Sequence, residues 1–475
     1  MDSSKDPVDC FSKSSGLICA NHTIPYGVVC AVFQACGGSN GRSLDKYRKR
    51  LHNCKNPIRE RKIVLDSIDG KFNVGGVLLD RPFKIRRLGH FGINALKMEE
   101  ALHFYHSLLG FRIVDVRDPY PDGREIPDEF KQYGDLKGYF FRYSHDHHAF
   151  VLYNHGHRGA IDKIGRWREN ITVNQITWQC GTLAEIVNGH HWLTEQGCNM
   201  IRAGRDMPGS NWHTYLMDPD WFQNELYYGM EQIGWNGHSK PLDMHDREFR
   251  EPPPLPQISE YQEMNDAIAA GSDITTGYRD TELLPEKYDV DGILLARPFK
   301  ITKIGPVRLF CEDMAASLAF YRDKLGFIVT EEIDYNGHHC VFLRNNTEHH
   351  SMALYPVALR AALGCREDTL LFAFAVRLAN YRQLREAVAF FRDEHGCEVR
   401  EDIPQALYPG VDYTVFVKDP DGMLIQLYAT MEQVGWDGKP RPADQRRKVT
   451  PGNWPDALEP TSDTYAGEPF LGPLG

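Results

Sequence analysis

From residue 87 onward, short apolar runs of period two alternate with longer stretches in which apolar residues recur every three to four positions. Residues 87–93 (RLGHFGI) read as a strand. In the stretch that follows, Met98, Leu102, Tyr105 and Leu109 have i, i+4, i+7, i+11 spacing and so share one face of a helix. Gly110 suits its end, because glycine closes a helix in the left-handed conformation without steric cost. Strand-like runs follow at 111–116, 138–143 and 149–153. The same order then restarts, with a strand at 171–180, a helix at 183–196, and strands at 200–203, 212–217 and 224–228. The pattern predicts two βαβββ modules.

It also occurs twice. GVLLDRPFKIRRLG (76–89) is answered by GILLARPFKITKIG (292–305), and ALHFYHSLLGF (101–111) by SLAFYRDKLGF (317–327). HHAFVLY (147–153) is answered by HHSMALY (349–355), and DPDWFQNELYYGMEQIGW (218–235) by DPDGMLIQLYATMEQVGW (419–436). Four matched blocks in one order mark a duplication. The expected architecture is α+β, four βαβββ modules paired into two domains with curved, barrel-like sheets. An extension covers 1–75, the first domain 76–236, a linker 237–291, the second domain 292–437 and a tail 438–475. The tail is rich in Pro, Gly and Asp and is expected to be poorly ordered.

Composition narrows the function. Of 475 residues, 54 are Lys or Arg and 65 Asp or Glu, a net charge of −11. An acidic balance argues against nucleic acid as a partner, since such binding needs a basic face to replace phosphate counterions. The eleven cysteines are scattered with no CxxC pair, which fits free thiols in a reducing compartment. No apolar run approaches the ~20 residues that span a bilayer, so no membrane association is expected. Residues 27–36 (GVVCAVFQAC) are the one candidate signal core; they start late, follow Pro25 and read as part of an irregular extension. A cytoplasmic protein is expected. The basic stretch 46–62 (KYRKRLHNCKNPIRERK) reads as a solvated extension.

Candidate chemistry gathers in the first unit. His90 lies on the first strand of module one, Gln175 and Thr177 on one face of the first strand of module two, and Glu225 on that module's last strand, inside an apolar run (ELYY). A glutamate in such a run needs a partner to offset desolvation, and a cation is a natural one. Together, LGHFG, FYHSLLGF and DPD…ELYYG…GW resemble the vicinal oxygen chelate superfamily, and within it the two-domain extradiol ring-cleaving dioxygenases of the dihydroxybiphenyl and catechol 2,3-dioxygenase type. The resemblance covers roughly 81–236 and 297–437.

What the resemblance implies is Fe(II) on a facial triad with open positions. His90 matches its first ligand, Glu225 its carboxylate, and Gln175 stands where its second histidine falls. His148 matches the acid–base histidine near the dioxygen site and Tyr215 the tyrosine that hydrogen-bonds the substrate or intermediate. Asp206 stands at a further family histidine. Substrates would be a small catechol-like aromatic diol and O2, in aromatic catabolism, and the assembly a homo-oligomer. An amide oxygen is a weaker ligand than imidazole, although Gln serves in glyoxalase-type members. Mn, Zn or Ni are therefore alternatives to iron, and His213, on the Tyr215 face, an alternative third ligand.

In the second unit Pro306 stands for His90, Leu371 for Gln175 and Gln426 for Glu225, so a metal there is not expected. His349 and His350 answer His147 and His148 in this half, which favours a structural role for at least one histidine of the pair. Two alternative functions remain: a glyoxalase-like isomerase or lyase, and a metal-free binding protein whose cup is lined by Trp178, Trp212, Tyr215, Trp221 and Tyr227.

Overall fold

Strand β1 (Arg87–Ala95) is buried along nearly its whole length, which is why its sequence is a run and does not alternate. In the computed structural model it lies at the centre of an eight-stranded sheet with β2 (Arg112–Arg117), β3 (Gly138–Arg142), β4 (Phe150–Asn154), β5 (Val173–Gln179), β6 (Asn199–Arg205), β7 (Trp212–Met217) and β8 (Gln223–Tyr228). The structure describes residues 67–458, except 122, 163–164, 166, 207–208, 210, 242–243, 245–248, 435–436 and 451. The segments 27–36 and 46–62 lie outside the described residues.

The strand order is β2-β3-β4-β1-β5-β8-β7-β6. Each module contributes four neighbouring strands, its first strand running parallel to its last: β1 with β4, β5 with β8. The modules join where β1 pairs antiparallel with β5. A second sheet repeats this order with β9 (Ile301–Cys311), β10 (Ile328–Tyr335), β11 (His338–Arg344), β12 (Met352–Pro356), β13 (Leu371–Leu378), β14 (Val399–Arg400), β15 (Thr414–Lys418) and β16 (Leu424–Tyr428). The α+β class and the four modules are as expected. The sheets are open: the outer strands β2 and β6 do not pair with each other, so neither sheet closes as a barrel.

The module helices follow from local chemistry. In α1 (Met98–Leu102) the spacing holds, with Met98, Tyr105 and Leu109 buried, but the chain widens into a π-helical turn at His103–Leu108 before Gly110 closes it at φ +89°. Regular α2 (Leu183–Glu195) starts where the Thr182 hydroxyl accepts the Glu185 N–H at 3.2 Å. The linker holds α3 (Glu260–Ala269), capped by Ser259. Two more module helices, α4 (Met314–Leu318) and α5 (Tyr381–Ala389), again run into π-turns.

The domains meet through equivalent residues. Tyr105 on the turn after α1 donates its hydroxyl to Asp419 at 2.7 Å, and Tyr321 after α4 donates to Asp218 at 2.6 Å. Phe91 stacks on Phe374 with centroids 4.5 Å apart, and the hydroxyls of Thr172 and Thr369 meet at 2.7 Å. The repeated RPF motif belongs to this junction. Arg297 occupies the space where a Cβ on Gly110 would stand, and Arg81 does the same at Gly326.

The tail departs from expectation over its described part. Trp454 packs on Tyr413 with ring centroids 5.4 Å apart, the carbonyl of Pro455 accepts from Tyr381 at 2.6 Å, and Arg446 forks onto Glu331 at 3.0 and 2.7 Å. Aromatic and guanidinium anchors outweigh the tail's Pro and Gly content. Among the described residues six cysteines are free, and no helix is long and apolar enough to cross a membrane.

Candidate metal centre

One transverse row of side chains builds the site. The strand registers align His90 (β1) with Thr177 (β5), Thr177 with Glu225 (β8), Glu225 with Tyr215 (β7) and Tyr215 with Arg202 (β6). Five residues far apart in sequence thus sit side by side across five adjacent strands. His90 and Glu225, one strand removed from each other, lean over Thr177 and meet: Nε2 of His90 is 3.0 Å from Oε2 of Glu225. The Thr177 hydroxyl donates to the same oxygen at 2.9 Å and the Gln175 amide at 3.3 Å. Asn211 donates to Oε1 at 2.8 Å. His90 is 1% and Glu225 0% exposed, so this convergence is buried.

Glycines make the room. A Cβ on Gly89 would stand 2.2 Å from the Tyr227 ring, which packs against His90. A Cβ on Gly92 would press on Asn174 at 3.0 Å and on Gln175 at 3.2 Å, so glycine there lets Gln175 lie over the strand toward Glu225. Burial alone would push the Glu225 carboxyl up. The imidazoles of His90 and His213 and the Thr177 hydroxyl outweigh burial and hold it down at about 2, so the group is a carboxylate.

His148 stands beside this row, edge-on to His90 with ring centroids 4.4 Å apart. Its Nδ1 lies 3.0 Å from Nδ1 of His147, whose Nε2 lies 2.5 Å from Asp115. If Asp115 accepts from His147, then His147 accepts from His148, which leaves the Nε2 of His148 as a lone pair. Burial, and after it the neighbouring His90 and His147, hold His148 neutral. In the second domain His349 meets Glu331 at 3.1 Å and His350 at 3.0 Å. One member of each pair is therefore a support: His147 and His349 anchor, while His148 and His350 face the interior. Tyr215 is buried and kept protonated by burial and by Glu225, which its hydroxyl reaches.

These groups line a cavity of about 220 Å³ that His90, His148, Gln175, Tyr215 and Asp206 share with Arg117, Arg158 and Arg202. The wall is almost wholly polar. Of the five aromatic residues expected to line an apolar cup, only Tyr215 does so. Trp178 is in the core against Phe327, Trp212 packs on Phe249, Trp221 lies under Arg168, and Tyr227 backs His90. Period-two alternation places a side chain on a face but does not say which face carries the cup.

Whether a divalent cation fits can be judged from the donors. Ligand atoms about 2.1 Å from a cation and at right angles to each other are about 3 Å apart. His90 Nε2 and Glu225 Oε2 have that separation, and turning the Gln175 amide presents its oxygen beside them. Among the described residues no three His, Cys, Asp or Glu side chains form a metal-holding group, and the side-chain amide that reaches the same carboxylate oxygen is that of Gln175. His213 is poorly placed for the role. Its Nδ1 is 3.8 Å from the other oxygen of Glu225 and its Nε2 is 2.9 Å from Arg202. His90 Nδ1 is buried without a hydrogen-bond partner, so no neighbour orients the ring from behind. The residues fit a divalent metal.

In the second domain an arginine fills the equivalent space. Arg308 aligns with Gly92 in the repeated motif and is fully buried. It donates to Gln426 at 2.8 Å, to the Tyr355 hydroxyl at 2.8 Å and to the carbonyl of Leu407 at 3.2 Å, and its terminal nitrogen lies 3.0 Å from His350 Nε2. Register corrects one sequence equivalence: Arg308 pairs with Ala373 as Gly92 pairs with Gln175, so Ala373, not Leu371, stands for Gln175. The connection from β4 to β5 is longer than that from β12 to β13, and counting residues does not show where the difference falls.

Fold and site together define a duplicated βαβββ protein with one open cup and one plugged cup. The chain belongs to the Glyoxalase/Bleomycin resistance protein/Dioxygenase superfamily, whose pattern matches residues 87–226 and 303–427. No curated protein matches it. Among solved structures it is similar to catechol 2,3-dioxygenase, with 16% identity over 80% of this chain and 97% of that one at a TM-score of 0.46. It is similar to homoprotocatechuate 2,3-dioxygenase from Arthrobacter globiformis, with 16% identity, 76% and 85% coverage and a TM-score of 0.46. It is also similar to a Mn(II)-bound glyoxalase from Novosphingobium aromaticivorans, with 14% identity, 78% and 97% coverage and a TM-score of 0.45.

Proposed function

We propose that the first domain is a metal-dependent enzyme that grips two adjacent oxygens of a small substrate, and that its reaction is extradiol-type cleavage of a catechol-like aromatic diol by O2, with Fe(II) as the metal. The observation that carries this reading is the meeting of His90, Gln175 and Glu225 on one carboxylate oxygen, at the floor of a cavity that also holds His148. The metal, when bound, supplies Lewis acidity that lowers the pKa of the diol, and a place for O2 to react.

The chain's own residues do the rest. His90, Gln175 and Glu225 hold the cation, and Thr177 and Asn211 orient the carboxylate through both of its oxygens. His148 takes the substrate proton at Nε2 while His147 and Asp115 fix its tautomer. Tyr215, a protonated phenol, donates to substrate oxygen. Burial of the row keeps water away from the reacting atoms.

The neutral amide favours a second reading, a glyoxalase-like isomerase or lyase that uses the same grip without oxygen. Anaerobic loading of the purified protein with Fe(II), followed by catechol and air, separates the two. Ring cleavage gives a yellow product with one O2 consumed per turnover. Conversion of a 2-oxoaldehyde–thiol adduct with no oxygen uptake supports the second reading. Failure to retain metal under either regime sinks both.

A further inference from the structure

The cavity carries more positive charge than its metal-holding floor needs. Arg117, at the end of β2, and Arg158, on the short helix His155–Ala160, converge on one residue, Tyr153 of β4. Arg117 hydrogen-bonds the Tyr153 hydroxyl, and the Arg158 guanidinium lies 5.0 Å from the ring centroid. Both line the cavity above His90 and His148. Among the described residues neither is ion-paired to a carboxylate.

That sets them apart from Arg86, Arg205 and Arg297. Arg86 is paired with Glu185, Arg205 forks onto Glu263 at 2.7 and 2.9 Å, and Arg297 is held by Glu282. Arg202, the third arginine of the wall, is already paired with Asp206. Two guanidinium groups that converge on one tyrosine with no carboxylate paired to them suit an anion that enters with the ligand. A planar carboxylate matches the guanidinium fork. The cavity, about 220 Å³, has room for a single ring with one small substituent.

We infer that Arg117 and Arg158 form an anion subsite, and that the substrate is an aromatic diol bearing a ring carboxylate, its diol on the metal-holding row and its carboxylate between the two guanidinium groups. This names the substrate class of the site and rests on the reading above for the diol end only; the carboxylate end stands on the arginines alone.

Calorimetric titration tests it on the full-length chain, with four probes: 3,4-dihydroxybenzoate, catechol, benzoate and phenyl phosphate. On metal-loaded protein, 3,4-dihydroxybenzoate is expected to bind at least ten-fold more tightly than catechol. Raising the salt concentration should erode that advantage, and R117Q/R158Q should abolish it. R117K/R158K, which keeps the charge, should retain part of it and shows whether loss in the Gln pair is merely misfolding. On metal-free protein benzoate should bind and lose its binding in R117Q/R158Q. Equal affinity for catechol and 3,4-dihydroxybenzoate overturns the inference, as does an advantage that survives R117Q/R158Q, absence of benzoate binding, or tighter binding of phenyl phosphate than of benzoate. Failure of the metal reading looks different: catechol does not bind at all while benzoate still binds through the arginines.

Discussion

Arg308 donates from Nε to Oε1 of Gln426 at 2.8 Å, and the two stand in the second domain at the positions that Gly92 and Glu225 hold in the first. A fixed guanidinium thus stands where the first domain leaves space. Glutamine stands there where the first domain has glutamate, and a neutral acceptor suffices for a cation that is part of the chain.

This asymmetry sets the metal stoichiometry. Protein loaded with a divalent metal and desalted should hold one ion per chain by elemental analysis. Glu225→Ala should lose it, while Gln426→Ala should leave the content unchanged. Two ions per chain would show that the plugged cup also binds.

Arg308 is itself a stability element. Arg308→Met leaves Oε1 of Gln426 and Nε2 of His350 buried without their partner, while Tyr355 keeps its bond to the Leu407 carbonyl; unpaired buried polar groups cost about 1–3 kcal/mol each. A fall in melting temperature of at least about 4 °C is expected by calorimetry. Metal content in the first domain should not change, because the plug touches none of its donors.

His148→Gln should separate holding from turnover. General acid–base groups contribute about 10²–10⁴-fold, and turnover should fall by that amount with full metal occupancy retained. Loss of metal together with activity would place His148 among the ligands. Asp115→Asn should give a smaller fall, since it acts only through His147.

The domain junction makes stability depend on pH. Burial pushes the Asp218 carboxyl up to about 8 and Asp419 up to about 7, from an ordinary 3.8, against the opposing pull of their tyrosine hydrogen bonds. The fold then keeps a proton that the unfolded chain releases. Stability is fully present below about pH 4, declines as pH rises toward 7–8 and levels off above. Urea midpoints measured from pH 5 to 8.5 should show this decline, and Asp218→Asn should flatten it. An unchanged slope in the variant would mean that Asp218 is already ionised in the fold.

Much of the fold was legible because buried central strands and amphipathic helices leave strong periods. The strand read at 212–217 is Trp212–Met217, and the others differ at their ends by a few residues. The site was legible only in part. His90, Gln175 and Glu225 could be placed on the right strands, but their meeting depends on a rung that spans five strands. Alternation cannot reveal which residues of different strands share a rung. Asn211 and the Asp115–His147 support were missed, because a short-range pattern does not show which loop folds over a sheet. Arg308 did leave a signal: arginine opposite glycine in the LGHFG and IGPVR copies, inside a strand where a charge has no business unless it fills something.

The two tyrosine-to-aspartate links run in opposite directions across the junction, so each half finishes the other's interior. A chain severed between the sheets would strand both aspartates without their hydroxyls and both tyrosines without their acceptors. The half whose cup is plugged is thus no idle copy: it supplies Asp419 to Tyr105 and Phe374 to Phe91, groups that close the interior of the half whose cup is open.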